Sequence, residues 1–145
     1  MRYMTWLVII VVVTLGLWWA NSSIKDIDTT NTEVPVVENA TLSAVGQYTG
    51  TGSATRSFDG QTFIHTVEAT LSDPAEGKFY EGWLVVPNSE GFFSTGKLTK
   101  DGDKWKLTYA SDYDESIYAL VVITEETLAD GLDGKPETHV LEGSF

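Results

Sequence analysis

Apolar and polar residues alternate with a period of two along much of the chain after residue 44. The stretch TFIHTVEATL places Phe63, His65, Val67, Ala69 and Leu71 on one face, opposite mainly threonine and glutamate. This alternation is typical of a β-strand with one buried face. Further extended candidates are QYTGTGSATRSF, FFSTGKLTK, KWKLTYA and ETHVLEGSF. The residues DGD, between FFSTGKLTK and KWKLTYA, predict a hairpin turn.

Two stretches lack the alternation and are apolar on both faces. They are KFYEGWLVVP (78–87) and SIYALVVITEE (116–126), and each predicts a central strand that is buried on both sides. Glu81 is an acid within the first of them. Because a buried charge needs a partner, we expect a structural role for Glu81, with Lys97 or Arg56 on a neighbouring strand as its partner.

These patterns predict an all-β domain at residues 45–145. About seven strands in roughly 100 residues, with turns between them and almost no helical periodicity, favour an antiparallel immunoglobulin-like β-sandwich. A closed barrel is the alternative architecture.

The N-terminal part of the chain differs in kind. Residues 4–20 form a run of 17 uncharged, mostly apolar residues, which predicts one transmembrane helix and makes residues 1–20 a signal-anchor. Arg2 precedes the run and acidic residues follow it, so the positive-inside rule predicts a cytoplasmic N-terminus and an extracytoplasmic C-terminal domain at the plasma membrane. A cleaved signal peptide is the alternative, but Trp18 occupies a position where a small residue is preferred.

Residues 21–44 predict a flexible polar linker between the anchor and the domain. The segment is rich in serine, threonine, asparagine and acidic residues and has no clear period. Its one apolar stretch, Val34 to Val37, is an alternative extra edge strand.

Charge and cysteine content narrow the functional classes. The formal net charge is −12, from 21 acidic and 9 basic residues, and such an acidic surface repels phosphate backbones and argues against nucleic-acid binding. There are no cysteines, which excludes disulfides and thiolate chemistry. Export without cysteines fits a bacterial cell surface.

Candidate chemistry is sparse. The weak candidates for metal ligands are two histidines and two acidic residues of a glycine-containing loop, namely His65, His139, Asp130 and Asp133. No acidic cluster has the spacing of a calcium loop, and no motif indicates a nucleophile or a phosphate-binding loop. We expect no catalytic residue and no cofactor.

Three stretches resemble the extracytoplasmic C-terminal domain of anti-sigma-K factors: FYEGWLVVP, YALVVITEETLADGLDGKP and HVLEGSF. The positions that match the family's two strand motifs and its loop are Tyr80, Trp83, Leu84, Val121, Ile123, Thr124, Glu125, Gly131, Gly134 and Pro136. The resemblance implies a single-pass membrane protein with an outer β-sandwich. It offers no catalytic residues. Full-length members also have a cytoplasmic domain that binds a sigma factor. Because only a few residues precede the apolar run, we do not expect anti-sigma activity from this chain.

We therefore expect a non-catalytic sensor or protein-interaction module. It would be held in the membrane by residues 4–20 and would contact a protein partner at the cell surface. The alternative is a metal- or small-ligand-binding domain that uses His65, His139 or the acidic loops.

Overall fold

All of the regular structure in residues 34–145, the part of the chain that the computed structural model describes, is antiparallel β-sheet. This confirms the all-β prediction. No helix within these residues is long and apolar enough to cross a membrane. The nine strands are β1 (Glu38–Ala44), β2 (Thr51–Phe58), β3 (Phe63–Thr70), β4 (Lys78–Val85), β5 (Phe92–Lys97), β6 (Thr99–Asp101), β7 (Lys104–Ser111), β8 (Leu120–Thr127) and β9 (Thr138–Ser144).

The strands form one sheet that curls until its two edges meet. Their order is β5-β4-β8-β9-β1-β2-β3-β7-β6, so the edge strands β5 and β6 are consecutive in the chain and are separated only by Leu98. At this point the Leu98 amide donates to the Tyr80 carbonyl, at 2.9 Å. The β5–β6 segment thus pairs with β4 through its first half and with β7 through its second half. The sheet is nearly closed and barrel-like.

The prediction of a two-sheet immunoglobulin-like sandwich of about seven strands is therefore corrected to one curled sheet of nine strands. The alternation shows which side of a strand is buried. It does not show whether the buried side faces a second sheet or the far wall of the same sheet.

The N-terminal boundary of the domain also needs correction. Residues 38–44, which fall in the predicted linker 21–44, form β1 and pair with both β2 and β9. The preceding residues, Val34 to Val37, are exposed and outside any strand. The predicted anchor (residues 1–20) and the linker up to residue 33 lie outside the described residues.

The interior of the curled sheet is filled with side chains. On β3, Phe63, His65, Val67 and Ala69 point inwards and are buried, as the alternation predicts. The ring of Tyr80 on β4 meets that of Trp105 on β7 edge-on, with 5.2 Å between centroids. The core also includes Leu42, Ala54, Leu84, Leu98, Leu107, Val121, Ile123, Val140 and Leu141.

The passage of β9 beside β1 depends on a glycine. A Cβ atom at Gly143 would overlap the carbonyl oxygen of Thr41 and lie 2.6 Å from Cδ2 of Leu42. Because Thr41 contributes a backbone atom, the contact cannot be relieved by a side-chain rotation. Gly143 therefore lets β9 approach β1 closely in the middle of the sheet.

The loops gather at two ends of the sheet. The entry end comprises residues 34–37 and the loops 59–62, 86–91 and 112–119. The far end comprises the loops 45–50, 71–77, 102–103 and 128–137.

Candidate ligand groove

An apolar groove lies on the outer face of four neighbouring strands, β5, β4, β8 and β9. It has a volume of about 290 Å³. Its walls are mainly apolar, and its polar members are at one side; the lining residues are Trp83, Val85, Phe92, Leu120, Val122, Pro136, His139 and Glu142. It is close in size to the smaller pockets that bind small molecules in proteins.

The groove exists because β4 is apolar on both faces, as its sequence predicts. Tyr80 and Leu84 point into the interior, whereas Trp83 belongs to the outer face and is nevertheless only 1% exposed. Its indole nitrogen donates to the hydroxyl of Thr124, at 2.8 Å, which fixes the ring. The ring of Phe92 meets Trp83 edge-on at 5.8 Å. Phe92 remains 44% exposed, so one wall of the groove is open to solvent.

Glu81 is buried on the same outer face, two residues before Trp83. It is 1% exposed and accepts a hydrogen bond from the hydroxyl of Ser94. Burial raises the pKa of Glu81, the Ser94 hydrogen bond opposes this, and the nearby carboxylates of Glu126 and Asp133 add to the rise. The residue is among the buried groups behind the groove and does not line it.

The predicted partners of Glu81 are wrong in detail. Lys97 lies opposite Glu81 in the β4–β5 register, but its ammonium group lies over the ring of Phe79, 4.8 Å from the centroid. Arg56 instead pairs with Glu38, at 2.9 Å. The hydrogen-bond partner of Glu81 is Ser94. Because serine is uncharged, the search for an opposite charge in the sequence did not point to it.

The four metal candidates do not come together in one site. His65 is fully buried in the interior, and His139 is on the outer face with its Nδ1 atom against the carboxylate of Glu142. Asp130 and Asp133 lie in the exposed loop 128–137, where Asp133 accepts a bond from the Lys135 amide. Among residues 34–145, no three histidine or acidic side chains are grouped so that they could hold a metal ion.

His65 and Arg56 form a polar cluster inside the sheet near the entry end. The Nδ1 atom of His65 lies 3.0 Å from the carbonyl of Thr55, so this nitrogen bears the proton and the neutral ring donates it. Burial lowers the pKa of His65 to about 4. Arg56 donates to the carbonyls of Ser116 and Tyr118 and thereby holds the loop 112–119 over this end.

Sequence reasoning did not identify the groove, although the apolar run 78–87 correctly predicts that β4 is buried on both faces. Its other walls come from three further strands and from Pro136, which precedes β9. These walls are brought together by pairing between strands that are far apart in the chain. The signal for the groove in the sequence is the apolar run on both faces of β4, which indicates that other residues cover its outer face.

Comparisons with known proteins identify no relative. No family model, no curated protein and no solved structure matches the chain. The resemblance to anti-sigma-K factor domains stays a prediction from the three short stretches that suggested it.

Proposed function

We propose that the protein is a non-catalytic binding module that residues 4–20 anchor in the plasma membrane, with its β domain displayed outside the cell. The proposal combines the uncharged run of 17 residues with the groove on the outer face. The groove is the observation that supports binding most directly, because it leaves apolar surface open on an otherwise acidic domain.

The groove suits apolar side chains of a protein partner. Its lining is mainly apolar, and Phe92 at its open side supplies an aromatic contact of the kind that is enriched in protein interfaces. His139 and Glu142 at the polar side offer hydrogen bonds that orient a segment bound there. A sensor or interaction role similar to that of the outer domain of anti-sigma-K factors is compatible with this site.

Site-specific photocrosslinking in the source membranes tests the proposal. A photoreactive residue would replace Phe92 at the groove in one variant and Ile64 on β3 in the other. Ile64 is the matched control because it is also 44% exposed and is on a strand that does not contribute to the groove. We expect a crosslinked protein from position 92 that is absent from position 64. Identical products from both positions, or none from position 92, would count against a protein partner at the groove.

The alternative is a small apolar ligand, and the same groove favours it through its size. A bound ligand stabilises the folded state by mass action, so an uncharged fluorescent probe such as N-phenyl-1-naphthylamine should raise the melting temperature of the full chain. The variant Phe92→Ser should abolish the increase, whereas Ile64→Ser should retain it. If neither variant changes the response, the probe binds elsewhere.

A further inference from the structure

The apolar side chains that stay exposed in residues 34–145 are concentrated at the entry end. Tyr113 is 77% exposed and Ile117 is 66% exposed, although both lie in a loop that Arg56 holds in place. Solvation of this many large apolar groups at one end is unfavourable, and an exposed apolar surface of this kind is typical of an interaction site. Apart from Phe92, which lines the groove, the exposed apolar residues at this end are Val34, Val36, Val37, Tyr113 and Ile117.

The same end is mainly acidic. Six carboxylates lie on its loops or at its edge, namely Glu38, Asp59, Glu90, Asp112, Asp114 and Glu115, and no lysine is present on these segments. Arg56 pairs with Glu38 at 2.9 Å, and no cation within residues 34–145 pairs with the other five. Towards the far end, by contrast, lysines neutralise carboxylates: Lys78 pairs with Glu137 at 3.1 Å and Lys106 pairs with Asp101 at 2.8 Å. The negative potential of the domain is therefore least compensated where its apolar side chains are exposed.

A hollow of about 400 Å³ brings the two properties together. Its lining includes the apolar side chains of Val34, Val36 and Phe58 together with the carboxylates of Glu38, Asp59 and Asp114. Lysine and arginine side chains have an apolar stem and a charged head, so they match a hollow that is lined by both apolar and acidic side chains.

We propose that the entry end is a docking surface for a protein segment that has lysine or arginine side chains next to apolar ones. A second copy of this chain would bring the same six carboxylates against themselves. An anionic lipid surface would be repelled at about 1 kcal/mol for each charge near it. The proposal requires neither the groove nor the membrane anchor, and it can fail or succeed independently of both.

Because the chain has no cysteine, single-cysteine labelling tests the proposal in the full-length protein. An environment-sensitive dye would be attached at Gln61→Cys on the entry end and, as the matched control, at Ala129→Cys on the far end. Both positions are exposed. The probe is an amphipathic peptide of lysine and leucine, and the control peptide has glutamate in place of lysine.

We expect saturable binding of the lysine peptide reported by the dye at position 61 alone, weakened about tenfold between 50 and 500 mM salt because salt screens exposed charges. The double variant Asp112→Asn, Asp114→Asn should weaken binding about fivefold. The matched pair Asp130→Asn, Asp133→Asn at the far end should change it less than about twofold. Asp114 and Asp133 each accept a bond from a backbone amide two residues on, and asparagine can keep that bond.

Three results would overturn the proposal. An equal response of both dyes would indicate nonspecific attraction between a cationic peptide and an acidic protein. Unchanged binding of the peptide to the Asp112→Asn, Asp114→Asn variant would mean that the charges of these two carboxylates do not contribute to binding. A shift of the dye at position 61 on addition of phosphatidylcholine and phosphatidylglycerol vesicles, before any peptide, would assign the surface to lipid instead.

Discussion

Acidification should destabilise the domain through His65. The imidazole is fully buried, its Nδ1 atom donates to the Thr55 carbonyl, and Nε2 has no hydrogen-bond partner within residues 34–145. Arg56 lies opposite in the β2–β3 register and further disfavours a second positive charge. The folded state therefore resists protonation of a ring that the unfolded chain protonates readily.

The size and sign of this effect follow from the two pKa values. The pKa of His65 is about 4 in the folded state, against an ordinary value of 6.5. Because the folded pKa is the lower one, the contribution to stability is fully present above pH 6.5. It is lost progressively as the pH falls from 6.5 towards 4. The difference amounts to about 3 kcal/mol at pH 4.

Urea unfolding followed by tryptophan fluorescence at pH 7.5 and pH 4 measures this loss. The variant His65→Gln serves as the reference, because its amide can donate to Thr55 and does not titrate. The loss of unfolding free energy on acidification should be about 3 kcal/mol larger for the wild type, since the other titrating groups cancel in the comparison. Equal losses would refute the reasoning. If the variant does not fold, a His65 resonance titrating near pH 6.5 in the wild type would refute it as well.

Three substitutions, one of them with a matched control, test other parts of the structure by denaturant unfolding. Glu81→Gln should raise the unfolding free energy at pH 7 by about 1 kcal/mol, because the amide keeps the Ser94 bond without a buried charge. A decrease would mean that the carboxylate has a stabilising partner. Gly143→Ala should lower the unfolding free energy by about 2 kcal/mol, whereas the control Gly91→Ala in the β4–β5 turn should change it by less than about 0.5 kcal/mol. Equal losses for the two variants would argue against close approach of β9 and β1. Arg56→Met should lower the unfolding free energy by about 2 kcal/mol. A loss that disappears in molar salt would mean that Arg56 contributes only as a surface ion pair.

The sequence predicts the buried side of individual strands well. On β3 every second residue from Phe63 to Ala69 is buried, as the alternation requires. The two-sided burial of β4 and the hairpin at Gly102, which joins β6 to β7, are likewise confirmed.

How the strands assemble could not be predicted in the same way. Closure of the sheet depends on one segment that changes partner at Leu98, and no local pattern marks that change. β1 was missed because its sequence, ENATLSA, has only two strongly buried positions, Ala40 and Leu42, among polar residues. The burial of Glu81 was read correctly from its neighbours, but its partner Ser94 lies on a strand whose register is shifted by a bulge between Gly82 and Trp83.

We propose that the chain is anchored in the membrane and displays this domain outside the cell. Labelling of the Ala129→Cys variant with a membrane-impermeant maleimide on intact cells tests it most directly, since the wild-type chain has no cysteine and gives no background. We expect labelling without lysis, and the labelled chain should stay in the membrane fraction. Cleavage at a protease site placed after Ala20 should separate residues 1–20 and release the labelled chain. Labelling only after lysis would show that the domain is not outside the cell.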